Sequence, residues 1–370
     1  MPDNAALFAV NRAPSRVCRP CPLHRAVLPS LVHPPLSEPF ALNVAAPPPP
    51  APAAPGPCRI CGAALQAERQ LFDDRYGYPD RYGLYRCAGC GHRALNLQMT
   101  PAQVSELYTR FYPRSSFDVE AWQPPREEPA WRTWWQGLRA SAFRWVPPGV
   151  KVLDVGCGFG ESLGYHRNRG CQVQGVEADA NILRVAERHG LDVKVGLFDA
   201  ANYAPASFDV VTLDQVIEHV ADPLVVLRGV CQVLKPGGML VLSTPNANGL
   251  GAWLFGRLWI HWHTPYHVQF FSTASMRQAL GQAGLHVESV RTVTNSAWLG
   301  FQWCHLVAPG GPGVPSAFWS TQMPRNTGQK LLLGLAAVAG RLGLNALLTR
   351  LADALGRGDN FVFVIRKTTP

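Results

Sequence analysis

Between residues 151 and 246 the chain alternates strand-like with helix-like segments, and few architectures accept that rhythm. The apolar runs "KVLDVG", "QVQGVEA", "DVKVGLF", "FDVVTLDQV" and "GMLVLSTPN" read as strands. "ESLGYHRNRG", "NILRVAERHG" and "PLVVLRGVCQVLKPGG" carry apolar residues at helical period, and each closes on a glycine. Strands separated by helices run parallel, so the segment predicts an α/β, doubly wound sheet. "STASMRQALGQAGLHVESVRTV" adds one more helix and strand, and "NFVFVIRK" supplies a final apolar strand. An insertion of about residues 295–359 separates those last two strands.

The first strand of this series ends in a turn with glycine at every second position, Gly156, Gly158 and Gly160. A nicotinamide-binding turn has the spacing G-x-G-x-x-G and faces a pyrophosphate. Here the third glycine comes one position early, Glu161 follows it, and Asp154 ends the strand. Carboxylates in those places repel a diphosphate. They suit a ligand that is cationic at this point and carries no phosphate.

"VLDVGCGFG" resembles motif I of the class I S-adenosylmethionine-dependent methyltransferases. The resemblance implies that Gly156, Gly158 and Gly160 let the backbone approach the cofactor, with Cys157 a small filler in the same loop. It further implies that Asp154 helps to hold the amino-acid end. "GVEAD" resembles the end of the family's second strand, placing Glu177 on the ribose hydroxyls with Asp179 beside it. "LFDAANY" puts Asp199 where the family reads the adenine amino group, and Asp214 falls at the end of the matching fourth strand. "VLKPGGMLVLSTPN" is similar to the turn and fifth strand. The likeness covers roughly 150–294 and 360–367. It implies a Rossmann-like seven-stranded sheet of order 3-2-1-4-5-7-6 with an antiparallel last strand, the insertion covering the carboxyl edge where ligands bind.

Methyl transfer to a hydroxyl, amine or carbon acid needs an aligned nucleophile and somewhere for a proton to go. "DQVIEHVADP" and "HVQFFSTAS" are similar to ubiquinone O-methyltransferases and sugar methyltransferases, whose corresponding histidines line the substrate side. His219 and His267 are therefore the candidate bases, with Gln215 and Glu218 nearby. A structural role, holding the core together beside Phe270 and Phe271, stands as the alternative. The three histidines His261, His263 and His267 lack a carboxylate at ligand spacing in the sequence, which speaks against a metal there. In "WLFGRLWIHWHTPYH", Arg257 suits an acidic group on the acceptor, and Trp262 and His263 offer aromatic faces to a ring.

Ahead of this unit, Cys58, Cys61, Cys87 and Cys90 form C-x2-C-x25-C-x2-C, with a glycine after each second cysteine. Four thiolates at that spacing suit tetrahedral Zn2+ with no open position, hence a structural ion. The chain then divides into a proline-rich tail expected to be disordered (1–57), a zinc-ribbon module (58–100), a helical connector (101–150) and a methyltransferase domain (151–370). Cys18 and Cys21 in the tail have a proline between them and no partner pair, so no metal site is read there.

Charge is unevenly distributed. The net +9 comes mainly from residues 247–370, where ten basic side chains face only Glu288, Asp353 and Asp359. Such a field favours an acidic substrate, a phosphate group or an anionic membrane surface, with a solvated basic surface as the alternative. In the insertion, "LLLGLAAVAGRLGLNALLTRLADALG" reads as one apolar helix with Arg341, Asn345, Thr349 and Asp353 as a polar stripe. Such a helix either packs on the protein or lies on a membrane. No run reaches the roughly 18 apolar residues of a span, and no export signal opens the chain, so a cytoplasmic location, with peripheral contact on the inner membrane surface, is expected.

The leading expectation is methyl transfer to a small-molecule, sugar or glycan, or lipid-linked acceptor. An RNA methyltransferase using the ribbon as a nucleic-acid platform is the second reading. The mixed ribbon charges and the missing N/D-P-P-Y tetrad weigh against it. A non-catalytic scaffold is the third, opposed by the intact glycine motif and Glu177.

Overall fold

The computed structural model describes residues 56–368 except Gln98, 112–118 and 321–322. Cys18, Cys21 and nearly all of the proline-rich stretch lie outside the described residues. The strands are β1 (Leu65–Phe72), β2 (Arg81–Cys87), β3 (Arg93–Leu95), β4 (Lys151–Val155), β5 (Gln172–Glu177), β6 (Val193–Val195), β7 (Phe208–Asp214), β8 (Leu234–Pro245), β9 (Gln269–Phe270), β10 (Leu285–Thr292) and β11 (Asn360–Lys367). The helices are α1 (Pro101–Glu106), α2 (Ala130–Gln136), α3 (Glu161–Arg167), α4 (Ile182–His189), α5 (Pro223–Val233), α6 (Leu250–Leu254), α7 (Thr273–Gln282), α8 (Ser296–Val307), α9 (Thr327–Arg341) and α10 (Leu344–Ala354).

Seven strands form one sheet in the order β6-β5-β4-β7-β8-β11-β10. The pairs from β6 to β8 are parallel, and β11 runs antiparallel to both β8 and β10. This is the Rossmann-like order expected from the sequence, with the C-terminal segment as the reversed strand. The central strands β4, β7 and β8 are buried along most of their length, which is why they read as continuous rather than alternating apolar runs. Capping places the helices. Asp222 accepts the Leu224 and Val225 N–H groups at 3.1 and 3.3 Å to start α5. Ser272 and Ser275 exchange bonds to start α7.

A second, antiparallel sheet has the order β1-β2-β3-β9. Its last strand comes from the segment after His267, so the ribbon is completed by the other unit's own chain. Cys58, Ile60, Cys87 and Cys90 share one apolar cluster with Phe271, Met276 and the main-sheet side chains Leu240 and Phe363. His92 Nε2 meets Gln269 Oε1 at 2.6 Å, and Gln282 donates to the Ile60 carbonyl at 2.6 Å. The ribbon is thus packed onto the sheet rather than tethered to it.

Two expectations need correction. The segment 101–150 is helical only in part, with α1, α2 and short tight turns. Its stretch 122–129 is irregular because Pro124, Pro125 and Pro129 deny backbone donors. The apolar helix of the insertion is two helices, α9 and α10, bent by 66°. Gly343, at φ +80°, takes the left-handed conformation that ends the first. Among the described residues no single helix is long and apolar enough to cross a membrane.

Candidate active site

The turn after β4 is built for close approach. Gly156 and Gly160 sit at φ +72° and +80°. A Cβ on Gly156 would meet Val216 at 2.6 Å, and one on Gly160 would meet Leu191 at 2.7 Å. Only glycine satisfies both demands at each position. Gly158 is left-handed as well, and its N–H donates to Glu177 Oε2 at 2.9 Å. Glu177 Oε1 accepts the Asp179 N–H at 3.0 Å, so the end of β5 and the turn after β4 are fastened together. Asp179 in turn accepts the Asn181 backbone and side-chain N–H groups at 3.0 and 2.9 Å, just ahead of α4.

Asp154 is buried beneath this turn. It accepts the Thr212 hydroxyl at 2.6 Å and the Ser162 hydroxyl from the first turn of α3. Burial pushes its carboxyl up to about 7, against the pull of the Ser162 and Thr212 donors. Cys157 points inward against Gly175, in the cluster of Phe159, Leu163 and Ile182, so only its backbone faces the turn. Sequence reasoning missed Trp122, whose indole N–H holds the Phe159 carbonyl at 2.9 Å and whose ring covers Gly164. A lone tryptophan in an irregular stretch gave no signal.

Asp199 is exposed and caps the turn Ala200–Asn202 through the Ala201 N–H at 2.9 Å, next to the outward-pointing Leu197. Asp214 accepts the Ser243 hydroxyl, and burial raises its carboxyl. These residues form a glycine cradle ringed by carboxylates. That donor set fits a ligand with hydroxyls and positive charge and opposes a phosphate, so S-adenosylmethionine fits and a dinucleotide does not.

Val216, which rests on Gly156, leads within three residues to a second group of side chains. Glu218, His219 and His267 bring one ligand atom each to within 4.8 Å of one another. His219 Nδ1 faces the Tyr266 carbonyl at 2.9 Å, and His267 Nδ1 faces the His261 carbonyl at 2.8 Å. A carbonyl only accepts, so both rings carry hydrogen on Nδ1, and each neutral ring then keeps its lone pair on Nε2. Their centroids lie 4.6 Å apart, and His263 stands 4.9 Å from His267. Glu218 Oε2 accepts the Thr244 hydroxyl at 3.0 Å, whereas Glu218 Oε1 and His267 Nε2 are buried with no hydrogen-bond partner among the described residues.

Electrostatics separates the members of this group. Burial pushes Glu218 up to about 8. Burial, then the neighbouring His219, drives His267 well below the usual histidine range, while burial and Arg75 do the same to His263. The missing carboxylate that argued against a cation here is Glu218. It arrives from the β7 side of the fold, where local spacing around the histidines could not reveal it.

Other expected residues are placed differently. Gln215, at φ +57°, turns its amide into the sheet and donates to Ser243 at 2.9 Å and Asn360 at 2.8 Å. Trp262 is buried in the core between ribbon and sheet, packed edge-on against Phe270 and Trp259. Arg257 is at the surface, over the Phe72 ring of β1. The structure does not bring these three to the histidines. It brings Arg75 instead, a buried cation from the ribbon that donates to the Ile260 carbonyl and stacks on Trp319 at 4.4 Å. Asp73 shapes that loop by accepting the N–H groups of Arg75, Tyr76 and Tyr78 at 2.9–3.0 Å.

In the ribbon the four sulfurs converge, with Cys58 and Cys90 3.7 Å apart and Cys61 and Cys87 3.3 Å apart. A tetrahedron with metal–sulfur bonds of about 2.3 Å has edges of about 3.8 Å, so the group fits one zinc ion.

Residues 108–290 match the family model described as "Methyltransferase domain". A ubiquinone biosynthesis O-methyltransferase of Idiomarina loihiensis is 35% identical over 151 residues, 37% of this chain and 62% of that protein. The chain thus spans less than two thirds of that relative. One from Xanthomonas campestris is 33% identical over 171 residues, 42% of this chain and 71% of its own length. Among solved structures, a Haemonchus contortus phospholethanolamine N-methyltransferase 2 covers 72% of this chain and 60% of its own at 18% identity and TM-score 0.45. A Burkholderia thailandensis 1,6-didemethyltoxoflavin-N1-methyltransferase covers 78% and 96% at 14% and 0.41.

Proposed function

Because the chain belongs to the class I S-adenosylmethionine-dependent methyltransferases, we propose that it methylates a small-molecule, sugar or lipid-linked acceptor through the Glu218–His219–His267 group. One observation supports the reading: Val216 rests on Gly156 of the glycine turn, and two residues later buried Glu218 converges with half-buried His219 and buried His267. The ubiquinone-pathway relatives support a small acceptor over RNA.

In this reading the backbone of Gly156, Gly158 and Gly160 lines the cofactor, and Glu177 accepts its ribose hydroxyls. Asp199 sits at the adenine edge, while Asp154, Asp179 and Asp214 hold the turns in place. S-adenosylmethionine supplies an electrophilic methyl group when bound there. His219 and His267 then present Nε2 lone pairs to the acceptor's proton. Ionised Glu218 stabilises the imidazolium that forms. Arg75, rather than Arg257, is the cation available to an acidic acceptor. The four cysteines hold structural zinc and keep the His261–Phe270 segment in register through β9.

Transfer of labelled methyl from S-adenosylmethionine into fractionated host extract tests this. Label in soluble-sugar or lipid fractions that is lost in Glu177→Ala supports it, and label in RNA overturns it. The convergence of three donor atoms favours one second reading, a divalent cation held by the same cluster. Activity abolished by chelation and restored by Mg2+ or Mn2+, with the ribbon zinc retained, would select it.

A further inference from the structure

The helix α10 is built inside out. Its polar residues face the protein: Asn345 accepts the Trp303 indole N–H at 3.0 Å, and the Thr349 hydroxyl donates to the Asn345 carbonyl at 2.8 Å. Asp353 accepts the Thr294 N–H and hydroxyl, both at 2.9 Å, and pairs with Arg350 at 2.7 Å. Asn345 and Thr349 are buried. The solvent side carries Leu344, Leu347, Leu348, Leu351 and Leu355, the last 75% exposed. On α9, Leu331, Leu335 and Val338 repeat the pattern, and Leu342, 81% exposed, carries it across the bend.

Water is the wrong medium for such a face, because soluble monomers rarely show so long a contiguous apolar patch. The charges around it choose the occupant. Within residues 295–359 the basic side chains are Arg325, Lys330, Arg341, Arg350 and Arg357; of the two acids, Asp353 is already paired with Arg350 and Asp359 accepts the Gly251 N–H. The remaining four cations are exposed. Beside α10 stands α2, tied to it where Arg350 donates to the Trp134 carbonyl at 2.6 Å. It exposes Trp131 and Trp134, the residue type enriched at the headgroup level of bilayers. A second copy of the chain would bring the same four cations against these four. An anionic bilayer neutralises them while taking the leucines.

We propose that α9 and α10 form an interfacial membrane anchor, lying in the surface of a bilayer that carries anionic phospholipid. Neither helix alone is long and apolar enough to cross a bilayer, and the exposed Lys330 and Arg341 on α9 keep its polar side in the headgroup layer. The proposal goes beyond the methyl-transfer reading and does not depend on it, since binding is read without turnover.

The test is flotation of the full chain with phosphatidylcholine vesicles, with and without phosphatidylglycerol. The expected result is binding to the anionic vesicles, weakened by salt. Leu347→Glu with Leu351→Glu should weaken it at least about tenfold. Lys330→Gln with Arg341→Gln, which leaves the apolar face intact and guards against a folding artefact, should weaken it about fivefold for each cation. Thermal melts verify that both variants are folded. Failure of the wild-type chain to float overturns the proposal. So does binding that neither variant weakens, or sedimentation as a dimer that the leucine variant dissociates while vesicles go unbound.

Discussion

Asp154 and Glu218 are both carboxylates sunk near the carboxyl edge of one sheet, and they are used in opposite ways. Asp154 is answered by two hydroxyls, one from β7 and one from α3. Glu218 has one oxygen answered by Thr244 and the other buried with no hydrogen-bond partner among the described residues. Burial raises both, Asp154 to about 7 and Glu218 to about 8. A satisfied buried carboxylate fixes a turn. A half-satisfied one stores an electrostatic cost that a proton, a cation or a substrate can relieve.

The surroundings differ too. The turn above Asp154 is held by the strands β4, β5 and β7 of the main sheet, whereas the Glu218 cluster needs the 261–267 segment, which the ribbon supports through β3 and β9. Replacing Cys90 by serine should therefore separate the two regions. Turnover should fall by about 10⁴-fold as the histidines lose alignment, while affinity for S-adenosylhomocysteine, read by calorimetry, changes little. Equal loss of both would show that the ribbon supports the whole sheet edge.

Single substitutions sharpen the same division. His267→Ala should lower kcat by about 10³-fold with unchanged cofactor affinity. Glu177→Ala should weaken cofactor binding first. If His267→Ala instead leaves kcat intact, the ring is packing and the base lies elsewhere.

Glu218 itself should give opposite signs in two measurements. Its folded carboxyl titrates near 8 and its unfolded one near 4.5, so the folded state keeps a proton that the unfolded state sheds. Stability contributed by the protonated form is present below about pH 4.5 and drains away as pH rises toward 8, by about 3 kcal/mol at pH 7. Activity runs the other way, because ionised Glu218 favours the imidazolium, so kcat/KM should rise as pH passes through about 8. Glu218→Gln should flatten both curves. A pH–rate profile that keeps its limb in this variant would remove Glu218 from the proton path.

The contrast between the two carboxylates also marks what the sequence could reveal. Gly156, Asp154 and Glu177 lie on one strand–turn–helix–strand unit, so the local motifs could carry a family resemblance; the alternation gave a parallel α/β sheet, and the resemblance implied the seven-strand order. Glu218 and His267 are 49 residues apart, and only the fold brings them together. Arg75 looked like one ribbon charge among many, because nothing local marks a cation that will be buried against Trp319. Asn345, Thr349 and Asp353 were legible as a stripe. Which side of the helix faces water depends on Thr294 and Trp303, far from that stripe in sequence.

His166 offers the smallest and cleanest break in the comparison, because it is a buried titratable group with no chemistry to serve. It lies on α3, fully buried, edge-on to Tyr165 and Phe143, and neither ring nitrogen has a hydrogen-bond partner among the described residues. Burial, with Arg169 adding to it, lowers its pKa to about 4. The unfolded ring binds a proton near 6.5 and the folded one does not, so stability is lost as pH falls below about 6.5, by about 2 kcal/mol at pH 5. His166→Phe should erase that share of the acid loss in chemical denaturation at pH 5 and leave the pH–rate profile unchanged. Only the second half separates it from His267, whose ring is equally buried. A substitution at His166 that moved the rate profile would mean that the proton path extends past Asp154 into α3, and the division between a scaffolding and a reacting carboxylate would fail.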